Sequence, residues 1–373
     1  MDWTDWIEQY GEPRVLLVCG LLCGLLFGFF AQRSKFCLRA AVIEFWHGKF
    51  GEKLAVWLLA FSTAVVATQL FVVSGLLDVS TARQLSSRGS LSGALIGGLI
   101  FGVGMVMTRG CASRLLVLSA NGNLRALLSG LIFAVTAQAS LAGVLAPWRE
   151  AIASLWVVDG GPARSLLALV GVGSNDGLAF GAVWMVTAGF FAYYSGWGVW
   201  KWLGGIGTGL AVALAWLATY QVLAHSFEPV QVQGMTFSGP SAEWLMRVLG
   251  NPDEPWNFDL GLMPGVFLGS LIGALVGRDW KLEGFGGGYT MPRYIIGAIF
   301  MGFGAMLAGG CAVGAGMTGG AIFAVTAWLT LAGMWVGGGL ADRVFDGAHK
   351  PAPAPAPSAQ PAPLAASAPT AAP

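Results

Sequence analysis

The stretch "LAGGCAVGAGMTGG", residues 307–320, decides how this chain is read. Six of its fourteen residues are glycine, Cys311 sits among them, and apolar segments run into it and out of it. A chain surrounded by lipid keeps its backbone helical, because nothing else there satisfies its N–H and C=O groups. A glycine-rich break between two apolar segments therefore points to backbone packed inside protein or lining a polar path.

The rest of the chain supports a membrane setting. Of 373 residues, 55% are hydrophobic and only 10% are charged, where soluble domains carry about 25% charged residues. Several apolar runs approach the roughly 20 residues needed to span hydrocarbon. Ten-residue alternating strands of the barrel type are not seen. The fold class expected is all-α: a polytopic membrane protein with short half-helices. The 16 tryptophans suit interfacial belts. A net charge of +1 with no basic tract gives no sign of a nucleic-acid partner. The opening "MDWTDWIEQYGEPR" carries four acids and one base, opposite to a cleavable signal peptide.

Nine spanning helices are expected, near 14–32, 53–76, 91–108, 123–146, 177–195, 200–225, 262–277, 292–308 and 320–341. The stretches 33–48, 109–119, 226–250 and 309–319 are neither good spans nor polar loops, and read as short re-entrant segments. Residues 351–373 form a Pro/Ala tail that cannot build a core. Alternate inter-helix segments carry 14 and 6 of the Lys and Arg residues, which favours an outside N-terminus and a cytoplasmic C-terminus.

The glycine-cysteine break occurs twice. "GGLIFGVGMVMTRGCASR" (97–114) and "GAIFMGFGAMLAGGCAVG" (297–314) match at Gly97, Gly102, Gly104, Gly110, Cys111 and Ala112 with an offset of 200. "IFAVTA" also occurs at 132–137 and 322–327. Residues 1–350 thus read as one transmembrane domain, with repeat one at 14–146, a linking helix at 177–195 and repeat two at 200–341. Five crossings separate the starts of the two copies, so the second is inverted. Cys111 would then approach the midplane from the cytoplasm and Cys311 from outside. A third cysteine, Cys37 in "AQRSKFCLRA", has Ser238 in "GMTFSGPSA" as its counterpart in the second half if Phe36-Cys37 is aligned with Phe237-Ser238.

Such breaks suit an anion. Helix N-termini present free N–H groups and partial positive charge, and glycine admits close approach to the backbone. Gly110 and Gly310 precede the two cysteines of the repeat. Arg33, Lys35 and Arg39 surround Cys37, while Arg109 and Arg114 flank Cys111. Arg109, two residues before the thiol, reads as the better candidate for drawing an anion in. Arg33 and Lys35 also fit positive-inside anchoring. Thiols are weak, polarizable donors, suited to a sulfur-containing anion and to ready release. Cys19 and Cys23 share one face of the first helix and read as packing residues. No His or Asp stands beside the thiols to complete a metal site, and no CxxC pair, ATP-binding motif or other cofactor signature is seen.

The motifs "RSKFC", "GVGMVMTRGC" and "MGFGAMLAGGCAVGAG" resemble those of the YeeE/YedE family of sulfur-transport membrane proteins, over about residues 14–341. The resemblance implies a non-enzymatic inner-membrane protein that takes up thiosulfate. It implies a central path lined by Cys37, Cys111 and Cys311, with the anion passed between thiols by hydrogen bonds. It also implies a small TusA-like sulfur carrier as a cytoplasmic partner. Other sulfur or selenium cargo (sulfite, sulfide, a selenium compound) and, from another class, a membrane thiol-redox enzyme are the alternatives.

Overall fold

The computed structural model of the chain describes residues 3–173, 176–194, 197–226, 232–250, 255–285 and 291–347. The Pro/Ala tail lies outside the described residues, as does 227–231 within one expected half-helical segment. In chain order the helices are α1 (Trp3–Tyr10), α2 (Glu12–Ser34), α3 (Leu38–Trp46), α4 (Glu52–Val73), α5 (Arg83–Ser86), α6 (Leu91–Met107), α7 (Ala112–Ala120) and α8 (Leu124–Ala142). They continue with α9 (Ala146–Ala153), α10 (Leu166–Val170), α11 (Asp176–Tyr194), α12 (Val199–His225), α13 (Ser238–Leu249), α14 (Phe258–Gly277), α15 (Met291–Ala308), a π-helix over Ala312–Gly319, and α16 (Val325–Phe345). A two-residue ribbon pairs Gly89-Ser90 with Val157-Val158.

Among the described residues, eight helical stretches are long and apolar enough to cross a membrane. The protein is therefore an all-α, multi-pass membrane protein. Three of those stretches run through a break into a short helix: Glu12–Trp46, Leu91–Ala120 and Met291–Gly319. The expected ninth span, 320–341, is present as α16 but stands outside the eight. Its Gly337–Gly339 run and its Asp342 and Arg343 dilute the apolar character of its second half. The expected helix 123–146 stops at Ala142, where Gly143 leaves helical geometry.

The long helices pack through small residues. Gly20, Gly24 and Gly28 of α2 lie against Phe258, Leu262 and Val266 of α14, while Gly261, Gly265 and Gly269 of α14 lie against Leu17, Leu21 and Leu25 of α2. A Cβ placed at Gly24 would come 2.5 Å from the Leu262 carbonyl oxygen, and one at Gly265 would come 2.3 Å from that of Leu21. Two backbones in such contact gain dispersion energy that bulkier side chains would prevent.

The packing also has a pattern of exchange. α2 packs on α14 as α12 packs on α4; α6 packs on α16 as α15 packs on α8. α7 meets α8 and α14 as the π-helix meets α16 and α4, and α13 touches α8 as α3 touches α16. The pairs α2–α12, α6–α15 and α7–π-helix map onto themselves. The segments 12–142 and 199–345 are thus interleaved rather than set side by side. α11 stands apart, packing chiefly on α4 and burying only small residues such as Gly181 and Ala188.

Gly24→Ala and Gly265→Ala are each expected to lower stability by about 1–3 kcal/mol, since the added methyl meets backbone that cannot step aside. Gly130→Ala in α8, where an added Cβ meets nothing within 4 Å, should be neutral or stabilising. Thermal melting of the detergent-solubilised protein, followed by size-exclusion chromatography, reads all three.

Candidate functional site

Three junctions are built to one plan. α2 ends when Lys35 turns left-handed (φ 55°), and the Phe36 N–H bonds back to the Ala31 carbonyl at 3.0 Å. α6 ends the same way, with Arg109 at φ 58° and Gly110 N–H on Met105 at 3.1 Å. α15 ends with Gly309 at φ 77° and Gly310 N–H on Ala305 at 2.9 Å. Two residues after each left-handed turn comes a cysteine, the residue that opens the following short helix. The carbonyls of Cys37, Cys111 and Cys311 accept the first helical bonds, from Ala41 (3.2 Å), Leu115 (2.9 Å) and Ala315 (2.8 Å). Left-handed backbone costs an ordinary residue about 1 kcal/mol or more. Lys35 and Arg109 carry that cost, and Gly309 avoids it. A Cβ at Gly310 would lie 2.9 Å from the Ala315 nitrogen, so the chain closes on itself there; Gly110 has more room.

Some helix starts elsewhere in the protein carry a side-chain cap, while those of α2, α12, α13 and α16 do not. Ser90, Asn123 and Asn257 cap α6, α8 and α14, each accepting a backbone N–H through its side-chain oxygen at 2.7–2.9 Å. Cys37, Cys111 and Cys311 make no such cap. Among the described residues no side-chain oxygen caps the first amides of the three short helices, although the Arg114 backbone N–H interacts with the Cys111 sulfur. They form a positive helix end beside a thiol.

The junctions meet in one apolar cluster that includes Phe27, Phe36, Cys111, Met235, Phe237 and Cys311. Cys111 is fully buried, Cys311 is 1% exposed, and Cys37 is partly exposed. Cys111 lies close enough to both Cys37 and Cys311 to interact electrostatically with each, and its Sγ is 3.4 Å from Ser113 Oγ. The three cysteines singled out in the sequence are therefore brought together. Cys19 and Cys23 lie within α2, away from any helix start.

Ser238 opens α13, and the preceding Phe237 packs on Phe27 at 5.3 Å, as Phe36 does at 6.2 Å. The residue nearest the third junction is Thr236. A Cβ at Gly314 would meet its Oγ1 at 2.3 Å, and Thr236 Oγ1 is 3.3 Å from Ser238 Oγ. Thr318 of the π-helix donates to the Met235 carbonyl at 2.6 Å and ties the two segments together. Thr236 was hidden in the sequence because the Phe36/Phe237 alignment pointed two residues further on.

The cations separate into two groups. Arg33 stacks on Trp200 at 4.8 Å, and Lys35 is exposed. Arg109 is exposed and interacts with Asp346 beyond the end of α16. Asp346 pairs with Arg293 at 2.8 Å and Arg39 at 3.3 Å. Burial works against its ionisation, yet the Arg293 hydrogen bond, with the charges of Arg293, Arg39 and Arg109, holds the carboxyl below its ordinary range. The cation beside the thiols is instead Arg114, in the first turn of α7, which interacts with Cys37 and Cys111. A base in the first turn opposes the helix dipole, and that was the sequence signal for it. Arg125 braces the same junction, donating to the Thr108 carbonyl at 3.0 Å while stacking on Tyr294 at 4.6 Å.

The chain is similar over most of its length to known proteins. The chain is 25% identical over 355 residues to a protein of Escherichia coli named thiosulfate transporter TsuA, covering 86% of this chain and 92% of that one. It is 27% identical over 322 residues to a protein of the same name from Spirochaeta thermophila, covering 83% of this chain and 93% of that one. The family model described as sulphur transport matches residues 33–340, from the turn before Cys37 almost to the end of α16. The chain belongs to the sulphur transport family.

Proposed function

We propose that this protein takes up thiosulfate across the inner membrane along a path that passes Cys311, Cys111 and Cys37. The observation that carries the reading is the meeting of three uncapped, cysteine-started helices in one buried cluster. An oxyanion needs hydrogen-bond donors and positive potential, and helix N-termini provide both without a fixed counter-charge. The outer sulfur of thiosulfate is soft and polarizable, and thiols are matched to it as weak donors. Weak contacts at several stations let the cargo move on. The two relatives named for thiosulfate transport support the choice of cargo.

In this reading residues 14–146 and 200–341 are two repeats of opposite orientation, and the exchange pattern in the helix packing supports it. The N-terminus lies outside and the C-terminus in the cytoplasm. Cys311 then meets the anion first, and the other two thiols pass it inward. Gly110 and Gly310 keep backbone amides open to the cargo. Ser238, with Thr236, adds hydroxyls opposite the Cys37 side. Arg33, Lys35 and Arg109 attract anions toward the path from its ends. A TusA-like carrier fits the cytoplasmic side as the acceptor of delivered sulfur. The transport step needs no cofactor, metal or lasting bond to cysteine, so the protein is not an enzyme. Surrounding lipid is its other constant partner.

Alanine at Cys37, Cys111 or Cys311 should lower thiosulfate uptake at least tenfold in a strain without other uptake routes, while Cys19→Ala and Cys23→Ala stay within about twofold of the unaltered protein. Full uptake with all three thiols removed would contradict the path. In the folded protein, a maleimide should modify Cys37 faster than Cys111 or Cys311, and thiosulfate should slow that reaction; equal rates at all three would contradict the burial order. Competition of labelled thiosulfate with sulfite, sulfide and selenium species in proteoliposomes tests the cargo, and a persistent cysteine–cysteine bond during turnover would favour the thiol-redox alternative.

A further inference from the structure

Arg114 is a largely buried charge that has no ion-pair partner among the described residues. Its Nη1 is sealed from solvent and makes no hydrogen bond, although the residue as a whole keeps some exposed surface. Among the described residues no carboxylate forms an ion pair with it; the carboxylates paired with Arg39, Arg88, Arg149 and Arg293 all leave it aside. Its electrostatic neighbours are the thiols of Cys37 and Cys111. It also sits among the uncapped amides of α7, where the helix end repels a cation. A charge withdrawn from water costs several kcal/mol unless something compensates it, and within a membrane protein such a residue marks a pathway or a pair.

The matching place in the second half carries no charge. At the offset of 200 that aligns Cys111 with Cys311, Arg114 falls on Gly314. Thr236 Oγ1 stands 2.3 Å from where a Cβ there would lie, so a hydroxyl fills the space. The two sides of the cluster therefore differ in charge and in donor geometry. A guanidinium offers paired N–H donors that fit two oxygens of one oxyanion, with more directional preference than an ammonium.

We propose that Arg114 is the anion-binding and selectivity-determining side chain of this path. It pairs with the charged oxygens of the cargo at the station between Cys111 and Cys37, leaving the terminal sulfur to the thiols. The Gly314–Thr236 side is a neutral station of lower affinity. This rests on the thiosulfate reading above and adds the charge that holds the anion.

The test is thiosulfate binding to the purified full-length protein by titration calorimetry, beside thermal melting without ligand. Arg114→Gln should weaken binding at least tenfold, and Arg114→Lys, which keeps the charge without the fork, should weaken it less. Neither melting point without ligand should fall for Arg114→Gln, because the charge removed has no partner. Should the amide not yield folded protein, Arg114→Met repeats the test with a neutral side chain of similar reach. Binding by Arg114→Gln within threefold of the unaltered protein overturns the assignment and leaves the transport reading standing. Equal weakening in the Gln and Lys variants with lowered melting in both makes the residue structural, and also overturns it. Absence of saturable binding by the unaltered protein contradicts the cargo reading itself, and this assignment with it.

Discussion

An amide N–H deep in a membrane protein must find an acceptor, and that constraint organises this molecule. Three long helices, α2, α6 and α15, satisfy their own backbone until a left-handed residue stops each of them. At Lys35, Arg109 and Gly309 the chain bends, closes a back-bond to the outgoing helix, and starts again two residues later. The restarted helix has free amides at its beginning. Elsewhere Ser90, Asn123 and Asn257 supply the missing acceptors. At the three cysteines no side-chain oxygen among the described residues does so, and in the proposed reading a passing oxyanion becomes the group that can.

Holding such junctions together demands a rigid frame. The frame comes from helix pairs that approach until backbone touches backbone, as Gly24 and Gly265 do in α2 and α14. The interleaved packing matters as much. α2 leans on α14 and α12 on α4, so neither of the segments 12–142 and 199–345 can shift without the other. Phe27 then gathers Phe36 and Phe237, and with them the starts of α3 and α13, around one ring. Thr318 and Arg125 fix the remaining two junctions from outside the cluster.

Much of this could be read from residue order. Apolar length located the spans, and the repeated glycine-cysteine pattern located two of the breaks, because backbone demands leave strong marks on sequence. The third cysteine, Cys37, was singled out because it too lies in a stretch that is neither a good span nor a polar loop. Side-chain geometry was less legible. Arg109 looked closer to its thiol than Arg114, being two residues away rather than three. The left-handed turn at Arg109 sends that residue to the half-buried Asp346 group, while the first turn of α7 carries Arg114 to the thiols. Thr236 escaped notice because alignment by the phenylalanines misses it, whereas its contact with Gly314 depends on a fold no local pattern encodes. The ninth span kept its length but lost apolar character to the glycines that let α16 pack on α6.

The account is tested most directly by an experimental density map of the protein in a lipid bilayer with thiosulfate bound. It predicts density for the anion among the starts of α3, α7 and the π-helix, in contact with cysteine sulfur and bare backbone N–H groups. Density only at the periphery, or cysteines 37, 111 and 311 turned toward acyl chains, would contradict it.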